Sequence, residues 1–319
     1  MAVFRHTTDL PEDARAGVVA IGNFDGVHRG HGAIFAEARA RAARLGTVPT
    51  VLTFEPHPRE LFQPEAAPFR LSSLRTKVRL LEEAGMAHLF VLQFDWAFAR
   101  ISADAFIGDI IARNLRARHV VIGRDFRFGH RRKGDASLLR IKAAERGFGV
   151  SALDPVADEY GEVISSSRIR HLLRQGDVGE ATRLLDRPWE VEGRVQHGAK
   201  NGRSIGFPTA NLRLDSYLEP MHGIYAVRAG VDQGRETHWW DGVAYVGRRP
   251  VVEGEDVQLE VHIFDASPDL YDAHLRVHFI AFVRGDATFD DLESMKAQVA
   301  ADCDAARRLL DTARSDDAA

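Results

Sequence analysis

From Val18 to Leu153 short apolar runs alternate with stretches whose apolar residues repeat at helical spacing, and few architectures accommodate that rhythm. The β-like runs are Val18–Ile21, Pro49–Phe54, His88–Phe94, His119–Ile122 and Gly149–Leu153. Between them lie helical patterns over Gly32–Leu45, Leu74–Ala84, Ala103–Leu115 and Ala136–Arg146. Ser102 and Asp135 stand where N-caps belong, and Gly46, Gly85 and Gly147 where helices should stop. Strands that are apolar almost throughout are buried on both faces. The pattern therefore predicts a parallel sheet covered by helices on either side, a Rossmann-like α/β domain.

The texture then changes. Two short helical segments, Ser167–Arg174 and Val178–Leu185, are split at Gly176-Asp177, and Arg187-Pro188 ends the helical pattern. The runs Glu190–Val195, Ile224–Ala229, Gly242–Val246, Gln258–Phe264 and Leu275–Val283 follow without helices between them. Gly and Pro punctuate them, which predicts a small antiparallel β-barrel. A capping box Thr288-x-x-Asp291 is expected to open a C-terminal helix, in which Leu292, Met295, Val299 and Leu309 repeat at helical spacing. A boundary at Asp186 divides the chain into domains 1–186 and 187–319, in keeping with a length of 319 residues.

Composition narrows the function classes. A net charge of −4 speaks against wholesale nucleic-acid binding. No stretch reaches the ~18 consecutive apolar residues of a membrane span. Asp9, Glu12 and Asp13 occupy the place of a signal peptide's apolar core. Cys303 is the only cysteine, so no intrachain disulfide and no cysteine-based metal cluster can form. The expectation is a cytoplasmic protein with neither membrane nor nucleic acid as partner.

The loop Gly22-Asn23-Phe24-Asp25-Gly26-Val27-His28-Arg29-Gly30-His31 joins the first strand to the first helix, where open α/β sheets bind ligands. It is neither a dinucleotide fingerprint nor a Walker A loop. His28 and His31, three apart at a helix start, can face one ligand, with the helix N-terminus adding positive potential. Donors placed there suit the negative charge that accumulates on a pentacovalent α-phosphate. Two other readings are a tight turn with surface histidines and a metal pair, for which no third ligand is evident.

That run resembles the opening motif of the prokaryotic bifunctional riboflavin kinase/FMN adenylyltransferase, or FAD synthetase, family. Phe54-Glu55-Pro56-His57-Pro58, Gly123-Arg124-Asp125-Phe126-Arg127-Phe128-Gly129 and Ile164-Ser165-Ser166-Ser167-Arg168-Ile169-Arg170 match it in the same order. The resemblance implies a nucleotidyltransferase domain, with ATP as co-substrate, in which His28, His31 and Arg168 are catalytic. Phe54, Pro56, His57 and Pro58 read as an extended rim for an aromatic ring. Asp125 and Arg132 belong to a cationic flap after the fourth strand, suited to phosphates. Ser166 and Ser167 with Arg168 would hold the leaving pyrophosphate. Asp125 departs from the Asn common in relatives.

In the second half a basic, glycine-rich loop contains Gly198, Lys200, Gly202 and Arg203, able to cradle and neutralise phosphate. Phe207-Pro208-Thr209-Ala210-Asn211 follows. Thr209 and Asn211, two apart on an extended strand, point the same way and offer hard oxygen ligands suited to Mg²⁺. Pro-Thr-Ala-Asn resembles the riboflavin kinase signature, which implies that both residues ligate the metal. Glu260 shares a strand face with His262. By resemblance Glu260 is the base that takes the ribityl hydroxyl proton, His262 is a bystander, and Arg284 lies at the flavin. Val251, Asp272 and Asp286 depart from the family's usual Thr, Gly and Glu. Riboflavin, FMN and ATP are the implied ligands. The rival readings are a chain that keeps only adenylyl transfer and a non-catalytic flavin sensor.

Overall fold

The computed structural model describes residues 1–196, 207–233, 236–251, 254–266, 268, 270 and 273–317. Its chain forms two compact units, Met1–Ala66 with Leu74–Ser165, and Ala67–Ser73 with Ser166–Ala319.

In the first unit β1 (Ala2–Phe4), β2 (Val18–Ile21), β3 (Pro49–Glu55), β4 (His88–Gln93), β5 (His119–Gly123) and β6 (Gly149–Leu153) form one parallel sheet. The strand order is β1-β4-β3-β2-β5-β6. Alternate residues of β2 enter opposite cores, as the uninterrupted apolar runs predict. Val18 and Ala20 pack with Phe35 and Ala38 of α1 (Arg29–Leu45) and Leu81 of α3 (Leu74–Glu83). Val19 and Ile21 pack with Ile107, Ile111 and Leu139, the last from α6 (Ala136–Arg146). From β2 the chain moves one way to β3 and β4, and later the other way to β5 and β6. The switch point, where such sheets bind ligands, therefore lies beyond the carboxyl ends of β2 and β5.

The expected caps form. Ser102 accepts from the amide of Ala105 at 3.1 Å and Asp135 from that of Leu138 at 2.9 Å. Gly46 and Gly147 end their helices with φ of 61° and 78°. Two short helices were not legible, α2 (Pro58–Phe62) and α4 (Trp96–Ala99). The third helical pattern is a single turn, α5 (Ala103–Ala105), leading into a π-helical stretch Phe106–Asn114.

The second unit begins with α7 (Ser166–Arg174) and α8 (Val178–Leu185). An antiparallel sheet follows, with β7 (Trp189–Arg194), β8 (Ala210–Arg213), β9 (Gly223–Gln233), β10 (Glu236–Val251), β11 (Gly254–Ile263) and β12 (His274–Arg284). Its order is β7-β12-β9-β10-β11-β8, and among the described residues the sheet curls until its edges meet at the bridge Gln196–Asn211. One face buries Trp189, Tyr225 and Phe279, with the Phe279 ring 4.8 and 5.0 Å from the other two. On the other face Ala226, Val243 and Phe264 pack against Cys303, Ala306 and Leu310 of α9 (Leu292–Asp317). The cap of α9 is Asp291, whose carboxylate accepts from the amide of Ser294 at 2.7 Å, so the box lies three residues later than Thr288 suggests. No helix among the described residues is long and apolar enough to cross a membrane.

A polar chain closes the amino end of β5. Ser151 donates to Glu37 Oε1 at 2.8 Å and lies 2.8 Å from His119 Nε2, while Arg41 donates to the same carboxylate oxygen at 2.7 Å. Burial pushes the His119 imidazole below its ordinary range, and Arg41 holds Glu37 below the usual carboxylate value. A histidine with a depressed folded-state pKa binds its proton more readily when unfolded. Stability should thus be fully present above about pH 6.5 and decline as the pH falls toward the folded-state value. Urea unfolding between about pH 7 and pH 5 should show this loss, and His119→Gln should flatten it.

Candidate functional site

The loop leaving β2 turns on left-handed residues, Phe24 at φ 49°, Gly26 at 82° and Val27 at 43°. A β-branched residue in that region is strained, and such strain persists only where the surroundings over-determine it. They do so here. The Phe24 ring is buried 4.9 Å from Phe35, and Thr53 Oγ1 donates to the Asn23 carbonyl at 3.1 Å. A Cβ at Gly22 would come within 2.9 Å of the Phe24 ring, so the ring can lie there only against glycine.

His28 is the extended N-cap of α1, and its amide donates to His31 Nδ1 at 3.3 Å. The two imidazoles stack at 3.6 Å, and the Phe24 edge meets His31 at 5.2 Å. The expected pair is therefore brought together at the helix N-terminus, with buried Asp25 in the same turn. Gly30 lies close beneath it. A Cβ there would be 3.1 Å from the His28 ring and 3.1 Å from the Ile164 carbonyl.

At the end of β3, Phe54 joins a run of aromatic contacts with Phe94, Phe98 and Phe106 at 5.9, 5.6 and 6.4 Å. Glu55-Pro56 is a cis peptide, and His57 caps α2 by accepting from the Arg59 amide at 3.1 Å. Phe62 and Trp96 meet edge to face at 5.6 Å, each 55% exposed. Sequence reasoning missed these two. The signal was present as aromatic density directly after two parallel strands.

After β5 the flap is pinched by paired Phe128 and Gly134, and Arg131 and Arg132 have φ of 55° and 57°. Arg127 pairs with Asp135 at 3.0 Å and Arg124 with Asp154 at 2.8 Å. Arg131, Arg132 and Lys133 make no ion pair among the described residues, so the flap keeps positive charge at its tip. Asp125 Oδ1 would lie 2.9 Å from a Cβ at Gly123.

Ser166 and Ser167 open α7, as expected. Arg168 turns to α8, where Glu180 accepts from it at 2.9 Å and from Arg183 Nε at 2.7 Å. Arg170 lies three and four residues beyond the two serines and so shares their face. Its Nε donates to the Phe69 carbonyl at 2.7 Å, with the guanidinium 5.3 Å from that ring.

In the second unit Glu260 stands directly opposite Asn211 across β11 and β8, and opposite Tyr245 across β11 and β10. Direct cross-strand partners share a face at ~5 Å between Cβ atoms. Asn211 Nδ2 donates to the Thr209 carbonyl at 3.3 Å, which leaves its amide oxygen available as an acceptor. His262 is engaged, its Nδ1 2.9 Å from the Pro208 carbonyl and its ring 5.4 Å from Phe207. Arg284 forms a two-bond fork with Asp302 of α9 at 2.8 and 2.7 Å, and its remaining nitrogen donates to the Gly285 carbonyl at 2.8 Å. Asp302 raises the guanidinium's pKa further. Gly198, Lys200, Gly202, Arg203 and Asp272 lie outside the described residues.

Comparison with known proteins matches both halves. The FAD synthetase family model covers residues 10–168 and the riboflavin kinase family model residues 185–310. The bifunctional riboflavin kinase/FMN adenylyltransferase of Escherichia coli (strain K12) is 39% identical over 303 residues, 95% of this chain and 96% of that protein. The Pseudomonas fluorescens protein of the same description is 41% identical over 310 residues, 97% and 98% of the two chains. A crystal structure described as a macrolide-efflux protein from Streptococcus pneumoniae superposes with a TM-score of 0.81 at 32% identity, over 94% of this chain and 96% of that one.

The close approach at Gly30 makes a test of the histidine pair. A displacement of about 1 Å in a reacting group can lower a rate by ~10²-fold. Gly30→Ala should slow FAD formation from FMN by about tenfold or more, with the melting temperature nearly unchanged. Steady-state rates and a thermal melt check both halves of that expectation.

Proposed function

The chain belongs to the bifunctional riboflavin kinase/FMN adenylyltransferase family, and we propose that it makes FAD in two ATP-dependent steps. Riboflavin is phosphorylated to FMN by the C-terminal domain, 187–319, and FMN is adenylylated by the N-terminal domain, 1–186. One observation carries this reading: the stacked His28 and His31 lie in one compact unit, and the cross-strand pair Asn211 and Glu260, with Thr209 beside it, lies in the other.

In the kinase step Glu260 takes the proton of the ribityl 5′-hydroxyl as its oxygen bonds to the terminal phosphorus of ATP, and ADP leaves. A carboxylate directly opposite Asn211 sits beside the oxygen donors, where the two substrates would meet. Thr209 and Asn211 would hold Mg²⁺, since a hydroxyl and an amide oxygen are the hard ligands that ion takes. Bound there, the ion would neutralise phosphate charge. Gly198, Lys200, Gly202 and Arg203 are assigned to the nucleotide phosphates, and Phe207 and Pro208 to the nucleotide's surroundings. Arg284, held by Asp302, fixes the end of β12 at the flavin.

In the transferase step an FMN phosphate oxygen attacks the α-phosphorus of ATP, and pyrophosphate leaves. The attacker is already ionised, so the protein's task is positioning and charge stabilisation. His28 and His31 donate to the α-phosphate oxygens. Gly22, Asn23, Phe24, Asp25 and Gly26 shape the turn that presents them. Asp125 and Arg132 are assigned to the nucleotide, and Ser166, Ser167 and Arg168 to the pyrophosphate. Pro56, His57 and Pro58 are assigned to the rim; Phe54, expected there from sequence, is instead buried in the core behind it because its ring packs among Phe94, Phe98 and Phe106, and the exposed Phe62 and Trp96 offer rings for the isoalloxazine to stack on. We assign the enzyme to the cytoplasm, where ATP and the flavins are found.

Mixing the protein with riboflavin and Mg-ATP and separating the flavins should yield FMN and then FAD. FAD formed only from supplied FMN would leave the transferase alone, and no turnover would leave a sensor. His31→Ala should lower FAD formation from FMN by ~10²–10³ while riboflavin phosphorylation persists. Glu260→Gln should do the reverse, with kinase turnover falling by ~10² or more and flavin affinity nearly kept. Parent-like phosphorylation by that variant would move the base elsewhere, with Asp286 next to test.

A further inference from the structure

Lys77 is 1% exposed and ranks among the largest fully buried side chains of the molecule. Lysine is almost never buried to that degree unless it is paired. Its ammonium lies 3.0 Å from Glu55 Oε1, with side-chain exposures of 2% and 13%. Neither step assigned above uses this pair.

A buried ion pair is a poor device for stability alone, because well-packed apolar residues of similar volume often serve as well or better. What a pair of this kind adds is placement. Here the placed group is Glu55, the last residue of β3, whose next residues are Pro56, His57 and Pro58 of the rim. Three other bonds meet at the same short stretch. Two residues earlier, on the same strand face, Thr53 holds the Asn23 carbonyl of the histidine loop at 3.1 Å. The Glu55 carbonyl accepts from the Phe94 amide at 2.9 Å, which ties it to the aromatic segment after β4. Two residues later His57 accepts from the Arg59 amide at 3.1 Å and so caps α2, which carries Phe62. A shift of the Glu55 side chain toward solvent would move the entry to Pro56, and with it the α2 cap.

We infer that Lys77 is a positioning residue for adenylyl transfer, which acts through Glu55 to hold the rim Pro56–Pro58 and α2 where the flavin binds. Lys77 extends from α3, so the helix is the fixed support and the strand exit is the part held. The inference rests on the assignment of adenylyl transfer to the first unit.

The test is the steady-state kinetics of FAD formation from FMN in the full chain, with riboflavin phosphorylation as an internal standard. Lys77→Met should raise KM for FMN about tenfold while kcat changes by less than about threefold. Glu55→Gln should give the same split. The double variant should be no worse than Glu55→Gln alone, because the lysine acts through that carboxylate. The kinase rate should remain at the parent level in all three. Should Lys77→Met not fold, Glu55→Gln keeps the side-chain volume, and its KM alone decides the matter.

A lowered melting temperature with parent KM and kcat would make the pair merely structural and overturn the inference. So would a fall in kcat of ~10² or more in Lys77→Met that adds to the effect of Glu55→Gln, since the lysine would then act on substrate directly. A parent enzyme that forms no FAD from FMN at all would instead bring down the assignment on which the inference rests. A parent that forms it, with unshifted variants, brings down only the role of Lys77.

Discussion

Phe24 has its backbone in the left-handed region and its ring in the core, 4.9 Å from Phe35. Strain of that kind costs about 1–3 kcal/mol, and full burial of a phenylalanine ring contributes about 1.5–3 kcal/mol. The ring's burial thus offsets the bend that its own backbone requires. Everything downstream depends on that balance. The same ring demands glycine at 22, edges His31 at 5.2 Å, and sets where the chain enters α1. Without it, the histidines would sit on a surface turn with nothing behind them.

The two sites use opposite parts of their sheets. In the first unit β2 is buried along its whole length, so no side chain along it can reach a ligand. Chemistry is pushed to the carboxyl ends, where loops and helix N-termini supply donors. In the second unit the sheet is antiparallel and one of its faces is only partly covered by α9. Side chains on that face, Asn211 and Glu260 among them, can therefore act from within strands. A donor site for an anion and a base beside oxygen ligands are what these two situations favour.

The apolar rhythm located β2, β3, β4, β5 and β6 to within a residue or two, because burial on both faces leaves little latitude in composition. β1 was too short, at three residues, to register as a run. β8 has four residues and gains its identity only from pairing with β11. β10 extends well beyond Gly242–Val246, since its polar flanks are held by pairing along β9 and β11. The π-helical stretch was read as ordinary helix because the apolar residues alone do not reveal a wider turn. For the sites, the motif residues could be named in advance, and the bonds among them could not. That Arg168 faces Glu180 and Arg284 faces Asp302 depends on which elements pack together. Lys77 carries no local signature. A lysine within a charged amphipathic helix reads as solvated until Glu55 is seen beneath it.

Among the described residues the two edges of the second sheet meet at the bridge Gln196–Asn211, where the Gln196 amide donates to the Asn211 carbonyl at 2.8 Å. In mechanical terms these described residues form a ring whose strands are laddered side by side and whose edges are joined by this rung. Asn211 borders this joint, and Glu260 lies one strand in. A ligand gripped by both would span β8 and β11 beside that joint and add a second tie to it.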